Sequence, residues 1–116
     1  MKTDRYLDHV FESSSYKTDE FKAFSRAFKS DIKELTKNDF ELVSFNTGHF
    51  YVSGFLKAKI NGNLVYFSIP DVRSFNNDWQ KNILIRTAEH DKDYTGGRNN
   101  YTTLEDLNKK SLMLIL

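Results

Sequence analysis

The amino-acid sequence predicts an α+β domain in which an N-terminal helix packs on a roughly four-stranded antiparallel sheet and a short helix follows at the C-terminus. Three observations predict this fold: an amphipathic helical pattern early in the chain, a tight hairpin signal in its middle, and a helix-start signal after the last strand. The order helix, strands, helix with short connections is typical of an antiparallel sheet packed by the first helix. The sequence predicts a single domain over residues 1–116, in which residues 1–17 are a candidate flexible N-terminal segment.

The first helix is predicted from its cap and its apolar spacing. Thr18 is a good N-cap, and Asp19 and Glu20 favour the positive end of the helix dipole. An apolar face follows at helical spacing and ends near residues 37–38. Its members are Phe21, Phe24, Phe28, Ile32 and Leu35.

Four strands are predicted, over residues 40–45, 50–60, 63–69 and 83–86. Asn61-Gly62 predicts a type I′ turn between the second and third strands, because both central residues of that turn need positive φ. With a two-residue loop, Ile60 faces Asn63, and alternation defines a core face and a second face. The core face collects Phe50, Val52, Leu56, Ala58, Ile60, Val65, Phe67 and Ile69.

The C-terminal part is predicted from two signals. Thr102 and Glu105 match the T-x-x-E capping box, which starts a last helix. The ending Ser111–Leu116 is too apolar for a solvated tail, so it is expected to pack on the sheet or on another copy of the chain. The second alternative is a homodimer through the apolar C-terminus.

Composition excludes several classes of protein. The net charge of +1 argues against an acidic DNA mimic and against a general DNA coat, since both need a large field of one sign. The chain has no Cys, which suits a reducing cytoplasm and removes disulfides and thiolate chemistry. No apolar run approaches the ~18 residues of a membrane span, so no membrane association is expected. We expect a soluble protein of a reducing cytoplasm.

The most informative segment is the loop Glu89–Tyr101, which is dense in charged, amide and aromatic groups. Such a mixture suits a recognition hot spot, and an equally weighted alternative is a structural loop held by Asn side chains. The loop over residues 71–82 adjoins the other end of the fourth strand from the loop Glu89–Tyr101. It would extend the same surface only if one of the two loops folds back. The predicted partner-binding residues are Arg73, Trp79, Arg86, Tyr94, Arg98, Asn99, Asn100 and Tyr101.

The second face of the hairpin mixes aromatic residues with lysines, which is the composition of a base-stacking platform. The favoured alternative is that a second helix or the termini cover these aromatics while the lysine stems lie at the edge. The predicted nucleic-acid-binding residues are Tyr51, Phe55, Lys57, Lys59 and Tyr66.

No metal or cofactor is predicted. The segment Asp91-x-Asp93-x-Thr95-Gly96 is similar to the opening of a calcium loop, but its twelfth position is Thr102 in place of the bidentate Glu. A metal-dependent nuclease built on His90, Asp91 and Asp93 is the last-ranked alternative. His9 and His49 are scattered along the chain.

Residues 48–55, 65–73 and 83–101 together resemble a family of small proteins carried on plasmids, phages and integrative conjugative elements of low-GC Gram-positive bacteria. The resemblance implies a setting on a mobile element, whose small cysteine-free proteins often inhibit host defence. Together with the composition of the loop Glu89–Tyr101, it leads us to expect a non-enzymatic anti-CRISPR protein that binds a Cas9-type effector or its guide RNA complex by surface masking. The alternative is a nucleic-acid-binding accessory protein of such an element.

Overall fold

The computed structural model describes residues 1–6, 17–48, 50–72 and 76–116 and confirms the predicted α+β class. The sheet has five strands, one more than expected, and they lie side by side in chain order with every neighbouring pair antiparallel. The elements are α1 (Asp19–Thr36), β1 (Phe40–Gly48), β2 (Tyr51–Ala58), β3 (Leu64–Ile69), β4 (Ile83–Ala88), β5 (Asn100–Thr102) and α2 (Leu107–Ile115), with 3-10 helices at Lys2–Tyr6 and Asn76–Lys81.

Helix α1 begins where the sequence predicts. The Thr18 hydroxyl accepts a hydrogen bond from the Phe21 amide at 3.2 Å, which satisfies one of the free N–H groups of the first turn. The predicted apolar face is buried against the sheet. It consists of Phe21, Phe24, Phe28 and Ile32, with Leu35 partly buried beside them.

The core between α1 and the sheet is rich in aromatic rings. Trp79 lies edge-to-face with Phe24, at 4.9 Å between ring centroids, and with Phe28, at 5.9 Å. Phe28 in turn lies 6.4 Å from Phe67 of β3. Edge-to-face pairs at these separations add to the stabilisation from burial alone, so the loop before β4 contributes a central core residue.

The turn between β2 and β3 differs from the predicted two-residue type I′ turn. Lys57 pairs with Leu64, and the Ala58 amide donates to the Asn63 carbonyl at 2.8 Å, so four residues form the loop. Among them only Gly62 has a positive φ, of 73°. The observed strand pairing differs from the predicted pairing by two residues. Since side chains alternate with a period of two, the strand residues stay on their predicted faces. Ile60 is the exception: it lies in the loop, 78% exposed, and does not belong to the core.

The turn between β1 and β2 contains an unusual backbone conformation. Phe50 has a φ of 57°, which bulky residues rarely adopt. Its ring is fully buried 5.2 Å from that of Phe21, and its carbonyl accepts a hydrogen bond from the Val72 amide. Burial and this bond hold the conformation, so Phe50 is a turn residue and not the first residue of a strand.

Helix α2 begins later than the capping box predicts. Thr102 ends β5, and the Thr103 hydroxyl accepts from the Asp106 amide at 3.1 Å just before the helix starts. The predicted role of Glu105 is therefore wrong, since this turn is closed by Thr103. As one alternative expected, the apolar C-terminal segment packs on the domain: Leu112, Leu114 and Ile115 lie partly buried against the core. A homodimer through the segment stays a prediction.

The N-terminal 3-10 helix is attached to α1 by one buried carboxylate. Asp31 accepts hydrogen bonds from the Lys2 amide at 2.8 Å, the Thr3 amide at 2.7 Å and the Thr3 hydroxyl at 2.6 Å. Residues 2–6 are thus ordered on α1, while residues 7–16 lie outside the described part of the chain. Within the described part, no helix combines the length and apolar character needed to cross a membrane.

Candidate functional site: the outer face of the sheet

The face of the sheet opposite α1, here called the outer face, carries most of the predicted site residues. Residues Phe55, Tyr66 and Arg86 lie in one row across β2, β3 and β4, because Phe55 pairs with Tyr66 and Tyr66 with Arg86. Alternation along the strands also places Tyr51 and Tyr101 on this face. Among the described residues, both α-helices contact the other side, so the outer face is covered only by the segment that follows β4.

Arg86 fixes that segment, residues 89–99, here called the β4–β5 loop. Its guanidinium carbon lies 4.3 Å from the centre of the Tyr66 ring. One terminal nitrogen, Nη1, donates to the carbonyl of Gly96 at 2.6 Å and to that of Asp93 at 3.3 Å. The other, Nη2, is buried without a hydrogen-bond partner. With only 3% of its surface exposed, Arg86 is a structural residue of the loop, which corrects its assignment to the contact surface.

The Asp93 carboxylate organises the same loop from inside. It accepts hydrogen bonds from the backbone amides of Gly96 at 2.7 Å, Glu89 at 3.1 Å and Thr95 at 3.3 Å. The bonds from Glu89 and Gly96, then that from Thr95 and the charge of Arg86, hold the pKa of Asp93 below its usual value. The loop is therefore built around an ionised Asp. The alternative of a loop held by Asn side chains applies here only to Asn100, whose side-chain amide donates to the Arg98 carbonyl at 2.9 Å.

This arrangement places Tyr94 on top of the outer face. Its ring lies 5.5 Å from that of Phe55 and 5.9 Å from that of Tyr66, edge-on to both. Phe55 is thereby fully buried, whereas Tyr94 keeps 52% of its surface exposed. Phe55 cannot stack on a base, so its assignment to a stacking platform is corrected: its ring is part of a small aromatic cluster under the loop.

Three exposed tyrosines on this side of the sheet form what we call the tyrosine surface: Tyr51, Tyr94 and Tyr101, exposed by 43, 52 and 64%. Tyr94 belongs to the cluster itself. Tyr101 lies on β5 opposite Leu84, and the Tyr51 ring lies against Gly48 of the neighbouring strand. Tyrosine is enriched at protein interfaces, because its apolar ring carries a polar hydroxyl.

The other predicted partner-binding residues divide into three groups. Arg98 and Asn99 are exposed in the β4–β5 loop, and Asn100 is half-buried beside them. Trp79 is 1% exposed in the core on the opposite side of the sheet, so its assignment to a contact surface is corrected. Arg73 lies outside the described residues. In the described part of the chain the two loops adjoin opposite ends of β4, and Trp79 of the first loop lies on the opposite side of the sheet from Tyr94 of the second.

The residues predicted to bind nucleic acid are also separated. Tyr51 and Lys57 are exposed on the outer face, and Tyr66 is half-buried beneath Arg86 and Tyr94. Lys59 lies in the β2–β3 turn, where its ammonium donates to the Lys37 carbonyl at the end of α1. Only two of the five residues thus remain freely accessible on one face.

The residues of the last-ranked metal site, His90, Asp91 and Asp93, lie in the β4–β5 loop. Within the residues that the structure describes, no three His, Asp or Glu side chains are grouped so that they could hold a metal ion. The His90 Nδ1 accepts a hydrogen bond from the Lys92 amide at 3.2 Å, and the carboxylate of Asp93 is directed at the backbone amides named above. His9 and His49 lie outside the described residues.

Together these observations define a small α+β protein with an ordered loop and an exposed tyrosine surface on one side of its sheet. Comparisons with known protein families, with curated proteins and with solved structures find no match to this chain.

The sequence predicts Tyr94 and Tyr101 as contact residues, but it does not predict the bonds that hold Tyr94 over the sheet. Two signals were available in the sequence. Arg86 is the one cation in an apolar strand, and Asp93 precedes Gly96 by three residues, a spacing typical of side-chain bonds to a turn. Neither signal identifies the carbonyl groups of Asp93 and Gly96 as the partners of Arg86.

Proposed function

We propose that this chain is a non-enzymatic recognition protein that binds a protein partner through the tyrosine surface. The observation that carries the proposal is the combination of three exposed tyrosines on one sheet face with a loop that holds the central one in place. Tyrosine is enriched at protein interfaces because its large ring buries much area while its hydroxyl can still form a hydrogen bond.

Order in the β4–β5 loop favours tight binding. Arg86 and Asp93 together form five hydrogen bonds within the loop and hold Tyr94 against Phe55 and Tyr66. A side chain that is already positioned loses little conformational entropy on binding, so more of the contact energy appears as affinity.

Charge favours a protein partner over nucleic acid. Between residues 89 and 99 the loop carries three carboxylates, Glu89, Asp91 and Asp93, against the two cations Lys92 and Arg98, so its formal charge is −1 with His90 neutral. Nucleic-acid affinity depends mainly on cations that neutralise phosphates. The alternative function, a nucleic-acid-binding accessory protein, rests on Tyr51 and Lys57, which are exposed on the same face.

The resemblance of residues 48–55, 65–73 and 83–101 to proteins of mobile genetic elements supports a particular class of partner. We propose a Cas9-type effector, alone or with its guide RNA, in the cytoplasm of the host bacterial cell. The tyrosine surface would mask part of the effector and thereby inhibit it, with no chemical step by this chain.

A binding experiment with a salt series separates the two functions. The purified full chain is immobilised and exposed to a Cas9-type effector with its guide, and in parallel to short DNA and RNA. The proposal predicts that the effector is retained at high salt and that free oligonucleotides are not, since a packed protein interface depends little on counterion release. Retention of the oligonucleotides alone, lost steeply with salt, would favour the alternative.

A variant and its control then locate the contact. Tyr101→Ala removes the most exposed of the three rings, while Met113→Ala removes an equally exposed side chain from α2. The first should lower retention of the effector and the second should leave it unchanged.

A further inference from the structure

A groove of about 810 Å³ lies at the end of the sheet, where three parts of the chain meet, and Asp93 and Thr95 on either side of Tyr94 help to line it. One wall is the β2–β3 turn with Leu64, a second is the end of β4 with the β4–β5 loop, and the third is the last turn of α2 with Leu114 and Leu116. Its volume falls within the range of about 300–1,000 Å³ that is typical of ligand sites.

The charged side chains that line this groove are acidic. Glu89 and Asp93 line it, and within the described part of the chain no lysine or arginine does. Hydrogen bonds from the loop amides keep Asp93 ionised, and the Glu89 side chain is exposed. The Lys57 side chain approaches Gly62 at the edge of the groove.

The end of α2 adds to the negative potential. The C-terminus of a helix carries a partial negative charge, which a basic residue in the last turn usually offsets. Helix α2 has no basic residue in that turn. The Ile115 carbonyl receives one hydrogen bond, from the Asn61 side chain at 3.2 Å, which is a neutral donor. A cation in the groove would therefore interact favourably with both the helix end and Glu89.

Leucine side chains stand among the polar groups that line the groove. Leu116 is 85% exposed, and Leu64 and Leu114 are each half-buried. Polar groups make up the larger part of the lining surface, so the leucines offer separate apolar contacts beside the two carboxylates. This arrangement is complementary to a chain segment that alternates basic and apolar side chains.

We infer that this groove is a second binding site, which takes a protein segment with an arginine or lysine between apolar residues. The cationic side chain faces Glu89 and the end of α2, while its apolar neighbours contact Leu64, Leu114 and Leu116. The inference uses none of the tyrosine-surface residues and goes beyond the function proposed above.

Short synthetic peptides test this site directly. A labelled, end-capped pentapeptide of alternating leucine and arginine is titrated with the full chain, beside one of leucine and glutamate and one of glycine and arginine. We expect saturable binding of the leucine–arginine peptide only, with amide shifts in the NMR spectrum at Ala88, Glu89, Gly97 and Leu114. No binding by about 1 mM, equal binding of the leucine–glutamate peptide, or equal binding of the glycine–arginine peptide would overturn the inference.

Matched variants locate the peptide. Glu89→Lys should weaken binding about fivefold or more, because it replaces an attraction by a repulsion at the surface. Glu105→Lys makes the same change of net charge before the other end of α2 and should change binding less than about twofold. Tyr101→Ala should leave peptide binding unchanged. If Glu105→Lys lost as much peptide affinity as Glu89→Lys, the effect would come from the net charge of the protein. If Tyr101→Ala lost as much, the peptide would bind at the tyrosine surface. Either result would overturn the assignment of the peptide to the groove.

Discussion

Replacing Arg86 by Met tests whether this buried cation holds the β4–β5 loop over the outer face. The change keeps an unbranched apolar side chain of similar length and removes the guanidinium. It therefore removes the bonds to the carbonyls of Gly96, at 2.6 Å, and Asp93, at 3.3 Å, together with the contact to the Tyr66 ring.

The size of the effect follows from opposing contributions. The 2.6 Å hydrogen bond from the charged donor contributes about 1.5–3 kcal/mol and the contact with the Tyr66 ring about 1 kcal/mol, while the 3.3 Å bond adds little because it is long. Against this, the substitution relieves the cost of burying the unpaired Nη2, about 1–3 kcal/mol. The balance is a loss of about 1–2 kcal/mol in the free energy of unfolding, which lowers the melting temperature by roughly 4–8 °C in a domain of this size.

Two measurements read this effect. Urea unfolding followed by circular dichroism gives the global loss, and amide hydrogen exchange gives the local one. The Gly96 amide, protected by Asp93, should exchange roughly tenfold faster in Arg86→Met, which corresponds to about 1.4 kcal/mol. Arg98→Met is the control, because Arg98 is exposed in the same loop and should change stability by less than about 0.5 kcal/mol. A value for Arg86→Met within that same limit, with unchanged exchange at Gly96, would refute the role of Arg86.

Three further predictions concern single residues. In an NMR titration, the pKa of Asp93 should lie below the usual value of about 3.9. Because folding lowers this pKa, the ionised Asp93 stabilises the loop fully above the unfolded-state pKa. That stabilisation is lost as the pH falls through the folded-state pKa. Gly54→Ala should destabilise the domain by about 1–3 kcal/mol in thermal unfolding, since a Cβ there would overlap the backbone carbonyl oxygen of Ser44 on β1 and lie 2.7 Å from the Phe67 ring. Asp31→Ala should lower the free energy of unfolding by about 2 kcal/mol, because three hydrogen-bond donors lose their shared acceptor. It should also make the N-terminal 3-10 helix accessible to limited proteolysis.

Controls and contradicting results differ for each. For Asp93, a pKa at or above the reference would contradict the hydrogen-bond account. For Gly54, the control is Asn46→Ala, an exposed position on β1, and a Gly54→Ala protein as stable as the wild type would contradict the close approach of β1 and Phe67 to Gly54. For Asp31, the control is Glu34→Ala, whose ion pair with Lys37 is exposed; equal proteolysis of both variants would contradict the attachment.

The parts of the fold that depend on local periodicity could be predicted from the sequence. The spacing of Phe21, Phe24, Phe28 and Ile32 fixes the buried face of α1, and alternation fixes the faces of β2 and β3. These signals survive the two-residue change in the hairpin register, since a shift by two keeps every side chain on its face.

The parts that depend on tertiary contacts could not be predicted. Trp79 lies in a polar segment of the sequence, and only its position over Phe24 and Phe28 makes it a core residue. Arg86 bonds to carbonyl groups seven and ten residues further along, and a carbonyl is the same in every residue type. The sequence thus indicates the chemistry of the β4–β5 loop but not which of its side chains are buried.

The most direct test of the central claim is the affinity of a Cas9-type effector with its guide for the wild-type chain and for a Tyr94→Ala, Tyr101→Ala double variant, measured at high salt. Truncation of two central interface aromatics should weaken binding by about 2 kcal/mol or more, roughly thirtyfold, while Met113→Ala binds as the wild type does. Circular dichroism confirms that each variant is folded. Equal affinity of the folded double variant and the wild type would contradict the claim that the tyrosine surface is the binding site, and no binding by the wild type would contradict the proposed partner.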